Sequence, residues 1–440
     1  MNQEMLDLAA QSLKIAKTAG ANQCRVVVWR GRTVEISYRE RKPETIKEAG
    51  TRGLFVEIFV NGRYSGQSTS DLRPAALDAF ITQAVAATKL LAEDPFRSLP
   101  DPKYYAGRST ADLGLVDPSY AALTPEERHQ MVRAIEAACF AHGGPKIISV
   151  TASCSDTSAE SVLLSSNGLD GSYAATYFSA GAEITLQDEG ERRPNGYHFV
   201  SAVSRPSLPS AEQIGAEAAR RTLDLLGAKK IKTETMPVII ENRSVPRLLG
   251  GLLSAMSGRN IQQQQSFLIG RKGQKIASGC LTLVDDPLIA GGLGSRWFDG
   301  DGLAAKKRVM IDAGVLMDYY VDWYYSRKLG CEPTTGGSSN LVIPPGKRSV
   351  VEIMKSLGRG VLVRDFIGGN SNSTTGDMSV GIMGTLFENG TPTQPVAEMN
   401  IAGNHLQLWR KVIEVGNDPW AYSSERTPSL VFGDVVVSGV

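Results

Sequence analysis

"MPVIIENRSVPRLLGGLLSAMSG", Met236 to Gly258, decides how this chain is read. "MPVIIENRS" has the apolar run of a buried strand. "RLLGGLLSAMSG" has the spacing of a helix, with Leu248, Leu249, Leu252, Leu253 and Met256 on one wide apolar face. Yet Gly250 and Gly251 stand side by side inside it. Each costs roughly 1 kcal/mol relative to alanine in a helix interior. Apart from Arg247 at its edge, nothing in the helix titrates.

Outward from this element the chain divides in three. Residues 1–107 read as an α/β domain. A helix over 3–19 stops at Gly20, and Cys24 to Glu40 reads as two strands around an Arg-Gly turn. A hairpin turns at Asn61-Gly62, and a helix starts at Pro74. Residues 108–235 read as a middle α+β domain. Thr124, Pro125, Glu126 and Glu127 open a helix, strands follow at 147–165, 171–187 and 197–203, and a helix at 211–226 closes the unit. Residues 236–440 carry many short strands and Gly- and Asp-rich turns, which suggests a β-rich domain of barrel or sandwich type. The expected fold class is α+β, with an antiparallel sheet and packed helices in the N-terminal region.

Composition narrows the function. Of 440 residues, 42% are hydrophobic and 21% charged, with a net charge of +1, an ordinary globular balance without the basic excess of a nucleic-acid surface. The basic clusters at Lys229, Lys230 and Lys232 and at Lys306, Lys307 and Arg308 read as solvated faces. No apolar run reaches ~18 residues, so no membrane span is expected. Two acids and no base in residues 1–7 argue against a secretory signal. Five scattered cysteines without a CxxC suit a reducing cytoplasm.

Candidate chemistry is sparse. His129, His142, His198 and His405 lie far apart in sequence, so no helical histidine pair can form a zinc site. His129 reads as part of a solvated face and His405 as packed or hydrogen-bonded. No GxSxG or phosphate-binding loop occurs. Asp285, Asp286, Asp299 and Asp301 either hold a divalent cation or close turns, turns being the simpler reading. The polar loop "GGNSNSTTGD", with Asn370, Ser371, Asn372 and Thr375, reads equally as a lining of a peptide cleft or as a plain connector.

Several stretches resemble one family. "LTLVDDPLIAGGLGSRWFDGDG", "DAGVLMDYYVDWYYSRKLG", "NSNSTTGDMSVGIMG", "FENGTPTQPVAEMNIAGN" and "VGNDPWAYSSERTPSL" are similar, in this order, to the TldD/PmbA family and its PmbA (TldE) branch. "GLFVEIFVNGRYSGQSTSDL" and "EDPFRSLP" extend the resemblance to the N-terminal half. One departure is Asp301, where members more often carry glutamate.

The resemblance implies a zinc metalloprotease lineage whose TldD branch carries an HExxxH helix and a distant C-terminal cysteine. Matched position by position, the first histidine is Gly250 here, the glutamate Gly251, the second histidine Ala255, and the cysteine falls near Val415. Catalytic and metal-binding residues are therefore expected to be absent. Residues i and i+5 stand ~140° apart on an ideal helix, so the motif works only on a distorted one. The glycines then read as a vestige, leaving room for a packed segment of this chain or of a partner. The implied role is the non-catalytic subunit of a cytoplasmic metalloprotease pair acting on unfolded or modified peptides. Zinc is expected only in the TldD-type partner chain. A homodimer is the alternative state of the isolated chain. A standalone modulator of DNA gyrase type and an autonomous hydrolase are the competing readings, and no direct nucleic-acid or membrane contact is expected.

Overall fold

The computed structural model describes residues 3–440. Met1 and Asn2, part of the stretch read for a signal, lie outside the described residues. The chain opens with α1 (Gln3–Thr18), then β1 (Gln23–Arg39), β2 (Lys42–Val60), β3 (Arg63–Thr69) and α2 (Pro74–Thr88). After a loop come α3 (Pro125–Gly143), β4 (Ile147–Ser165), β5 (Asp170–Leu186), β6 (Asn195–Ala202) and α4 (Ala211–Leu223). The Asn61-Gly62 turn joins β2 to β3, with both residues at positive φ. Thr124 and Glu127 form a reciprocal cap on α3.

The regions expected at 1–107 and 108–235 share one antiparallel sheet, in the order β3-β2-β1-β4-β5-β6. The join is the pairing of β1 with β4, from Arg25–Ser165 to Arg39–Thr151. This pairing also overturns the Arg-Gly turn. Gly31 is extended inside a continuous strand, opposite Thr51 on one side and Ala159 on the other. Two flanking strands hold it straight, which its local turn tendency could not reveal. Helices α1 and α2 cover the Val26, Val28, Leu54 and Val56 end of the sheet. Helices α3 and α4 cover the Val150, Ala182 and Ile184 end.

From Glu234 the sequence gives β7 (Glu234–Ile240), α5 (Val245–Ala255), α6 (Gly258–Gln262), β8 (Leu283–Asp285), β9 (Arg308–Asp312) and β10 (Val315–Leu316). Then come α7 (Trp323–Leu329), β11 (Leu341–Val342), α8 (Val350–Leu357), β12 (Arg359–Phe366), β13 (Asn370–Ser371) and β14 (Asp377–Glu388). The chain closes with β15 (Thr391–Asn404), α9 (His405–Arg410), β16 (Val412–Val415), β17 (Glu425–Arg426) and β18 (Leu430–Val437). The region is β-rich as expected, but its two sheets are open and neither closes into a barrel. One has five strands, β10-β9-β8-β11-β17. The other has seven, β13-β14-β12-β7-β18-β16, with β15 on β14.

β7 is the buried strand foreseen at Met236. It pairs with β12 in parallel and with β18 antiparallel. Alternation sends Met236, Val238 and Ile240 into the core that holds Leu248, Leu249 and Leu252 of α5. Ile239 points the other way, against Ile353 and Met354 of α8. The strand thus anchors the glycine helix over the centre of the larger sheet.

Candidate functional site

Helix α5 starts with Pro246 in its first turn and buries Val245, Leu248, Leu249, Leu252 and Ala255. Gly250 and Gly251 lie off that face, whereas Ala255, the third position where the resemblance places metal chemistry, is itself buried in the core. The two glycines differ. Gly250 is exposed, and a Cβ built on it meets no heavy atom within 4 Å. The same atom on Gly251 would lie 2.7 Å from Cε1 of His405 and 2.7 Å from Oγ of Ser371, with Nε2 of His405 closer still. Side chains of this chain, rather than a packed backbone segment, occupy the space above Gly251.

His405 is the first residue of α9 and is 1% exposed. Its ring stacks on Phe267, with planes 4° apart and centroids at 5.7 Å. The Trp409 indole N–H, one turn on, donates to Nδ1 at 3.3 Å. Nε2 meets Oγ of Ser371. An indole nitrogen can only donate, so Nδ1 must accept and the neutral ring carries its proton on Nε2. The imidazole therefore donates to Ser371. It is oriented against taking the serine's proton, so the pair is not an activated nucleophile. Burial pushes the His405 pKa down to about 4, which keeps the ring neutral at physiological pH.

The loop that supplies Ser371 is built from its own polar groups. Asn370 and Ser371 pair with Ser379 and Met378. Asn372 Oδ1 accepts from the backbone N–H groups of Thr374 and Thr375 at 2.8 and 3.2 Å. The Thr375 hydroxyl donates to Asp377 at 2.8 Å, and Asn404 ties Thr375 and Asp377 to the start of α9. Of the four loop residues singled out from sequence, Ser371 reaches the glycine helix. Val415, at the expected cysteine position, ends β16 with its carbonyl against Gly346.

The residues present do not fit a zinc ion. Gly250, Gly251 and Ala255 offer no side-chain donor, and no three His, Cys, Asp or Glu side chains group to hold a metal among the described residues. The aspartates act as turn and bridge residues. Asp285 accepts from the backbone and hydroxyl of Ser339. Asp286 caps Leu288 and meets Lys307 at 3.1 Å. Asp299 accepts from the N–H groups of Asp301 and Leu303 at 3.0 Å each. Asp301 meets Arg25 of β1 at 3.4 Å and accepts from the Trp323 N–H at 3.0 Å, linking the C-terminal region to the first sheet.

The other histidines are separate. His129 is not on a solvated face: it is half-buried, 3.1 Å from the Tyr38 hydroxyl, because the far end of β1 packs on α3. His142 meets Glu212 at 2.6 Å. Cys24, Cys139 and Cys154 are buried, with thiols pushed up to about 12 chiefly by burial, far from the thiolate a nucleophile needs.

Three models of one family match in chain order. They are PmbA/TldA metallopeptidase domain 1 at residues 24–88, its central domain at 118–226 and its C-terminal domain at 233–439.

The chain belongs to the PmbA/TldD metallopeptidase family.

Metalloprotease PmbA of Escherichia coli O157:H7 is 28% identical over 434 residues, which span 98% of this chain and 94% of that one. A crystal structure from Bacteroides thetaiotaomicron, described as a candidate modulator of DNA gyrase, superposes with a TM-score of 0.97 at 37% identity and covers all of both chains. TldE from Thermococcus kodakarensis has the same fold, with a TM-score of 0.86 at 23% identity over 98% of this chain and all of that one. These relatives place the chain in the PmbA/TldE branch, with a protease-related role. No helix among the described residues is long and apolar enough to cross a membrane.

Proposed function

We propose that this chain is the non-catalytic subunit of a cytoplasmic TldD/TldE-type metalloprotease that degrades or trims unfolded or modified peptides. A TldD-type partner chain supplies the zinc and the general base. The observation that carries this reading is the contact above Gly251. The position corresponding to the base holds a glycine, and the space its side chain would need is taken by His405 and Ser371. All three domains of the family are otherwise matched, at residues 24–88, 118–226 and 233–439.

In this reading the chain shapes the peptide cavity and gates access to it, and the Ser371 loop borders that path. The competing reading is a standalone regulator, which the gyrase-modulator description of one relative suggests. A net charge of +1 gives direct nucleic-acid contact no support. Affinity purification of this chain from its native cells tests the choice. Recovery of a TldD-type chain in near-equal amount supports the proposal, and recovery of this chain alone contradicts it.

A further inference from the structure

A cavity of about 640 Å³ opens beside the first turn of α5. β6 lines it with Tyr197 and Phe199, the entry to α5 with Arg243 and Arg247, and the segment before β17 with Trp420 and Tyr422. Its volume is in the range of small-ligand sites, which suits the last few residues of a peptide. Tyr197 and Phe199, on the edge strand β6, are 46% and 38% exposed and give the cavity an apolar wall.

Arg221, Arg243, Arg247 and Arg364 stand around it with Glu241, Asp224, Asp365 and Glu425, but they are not all paired. Glu425 makes no ion pair among the described residues, and burial pushes its carboxyl up. Arg221 is forked onto Glu241 at 2.9 and 2.7 Å, and Arg364 meets Asp224 at 2.9 Å. Asp365 accepts from the Tyr197 hydroxyl at 2.8 Å. Arg243 has no carboxylate partner among the described residues. It donates to Nδ1 of His198 at 2.7 Å and lies over the Trp420 ring at 4.8 Å. A guanidinium only donates, so His198 accepts from it and is neutral. Burial, then the charge of Arg243, hold the His198 pKa down to about 4. Arg247, exposed at the rim, reaches only the Gly369 carbonyl at 3.5 Å and likewise has no ion pair among the described residues. Burial and the neighbouring Arg221 push Arg243 itself down to about 10. A half-buried guanidinium without an ion pair is costly, and an anion entering the cavity to meet it directly would relieve that cost.

We propose that this cavity binds the C-terminal carboxylate of a peptide. Arg243 takes the carboxylate in its planar fork, Arg247 adds charge from the rim, and the rings of Tyr197, Phe199 and Trp420 receive the last side chain. With Nη1 on His198 and the group held over the indole, the Nε and Nη2 edge of the guanidinium remains to meet a planar carboxylate. The aromatic walls give an apolar terminal side chain somewhere to go, which inorganic phosphate does not need. This assignment rests on the reading that the chain handles peptides, and it names the group by which a peptide would be held.

The test is calorimetric titration of the full-length chain, without any partner, with an alanine-based octapeptide ending in leucine. The peptide is supplied as the free acid and as the C-terminal amide, and inorganic phosphate is titrated as a separate probe. The acid should bind at least about tenfold tighter than the amide. Arg243→Gln should erase that difference and leave amide binding unchanged. If Arg243→Gln is poorly folded, Arg247→Gln should weaken acid binding about threefold or more on a rim where the fold is not at stake. Equal binding of acid and amide, no binding of either, discrimination that survives Arg243→Gln, or phosphate binding tighter than the acid would each overturn the proposal. Because no partner is present, acid-selective binding stands even if a protease partner proves unaffected by this chain. That second result would count against the subunit reading alone.

Discussion

The His405 ring stands directly over the Cα of Gly251, and a methyl group on that carbon would lie 2.7 Å from Cε1 of His405. One residue earlier, Gly250 faces open space. Two adjacent glycines that look equivalent in the sequence therefore play opposite parts. Gly251 is required by packing, whereas Gly250 is merely tolerated.

Gly251→Ala should destabilise the protein by ~1–3 kcal/mol, the range for overpacking a filled site. His405 cannot swing aside cheaply, because it is stacked on Phe267 and bonded to Trp409. Gly250→Ala should be neutral or stabilising by up to ~1 kcal/mol through helix propensity and lower unfolded-state entropy. Denaturant unfolding of the two variants checks this. Equal effects of the same sign would contradict the packing account.

Acid should weaken the fold before most carboxylates titrate. His198 and His405 are held at about 4 in the folded chain, below the ~6.5 of an unfolded histidine. The unfolded state therefore takes up protons first, and stability is lost as pH falls from about 6.5 towards 4. Each histidine accounts for up to about 2 kcal/mol between pH 7 and 5. His405→Gln should flatten its share of this slope. An unchanged slope in denaturant midpoint against pH would show that the ring is not held neutral.

The pairing of β1 with β4 and α3 encloses a forked ion pair. Arg128 meets both oxygens of Asp156 at 2.6 and 2.9 Å, with both side chains 3% exposed. Asp156→Ala leaves a buried, unpaired guanidinium and should cost roughly 3–5 kcal/mol. A melting temperature within a degree or two of the parent's would refute the burial.

What could be read from the sequence was local. The Thr124 cap, the Asn61-Gly62 turn and the alternation of β4 and β5 each lie within a few residues of their signal, so they were legible. Gly31 misled because its partners Thr51 and Ala159 sit on strands far along the chain. His129 was read as part of a solvated helix face, yet Tyr38 of β1 packs against it and half-buries it, while its neighbour Arg128 is buried on Asp156 of β4. At the site, the resemblance pointed to Gly251, and composition pointed to the Ser371 loop. Nothing in the sequence joined either to His405, because the contact depends on where α9 sets down relative to α5. The unpaired Arg243 was invisible for the same reason: its neighbours Trp420 and His198 come from distant stretches of the sequence.

Purified and dialysed, this chain should hold well under one equivalent of zinc, since the three helix positions carry no donor atoms. Gly250→His, Gly251→Glu and Ala255→His together should not create a protease. The thiolate position near Val415 is still empty, and a glutamate at position 251 meets His405 head-on. Elemental analysis and a peptidase assay of the triple variant check both statements. A full zinc equivalent in the parent would overturn the reading of the site.

The most direct test of the account is a peptide-degradation assay on three samples: this chain alone, a TldD-type partner alone, and the two mixed. The account predicts no cleavage by this chain, little by the partner, and chelator-sensitive cleavage by the mixture. Chelator-sensitive cleavage by this chain alone would contradict it, and so would a partner whose activity is the same with and without this chain.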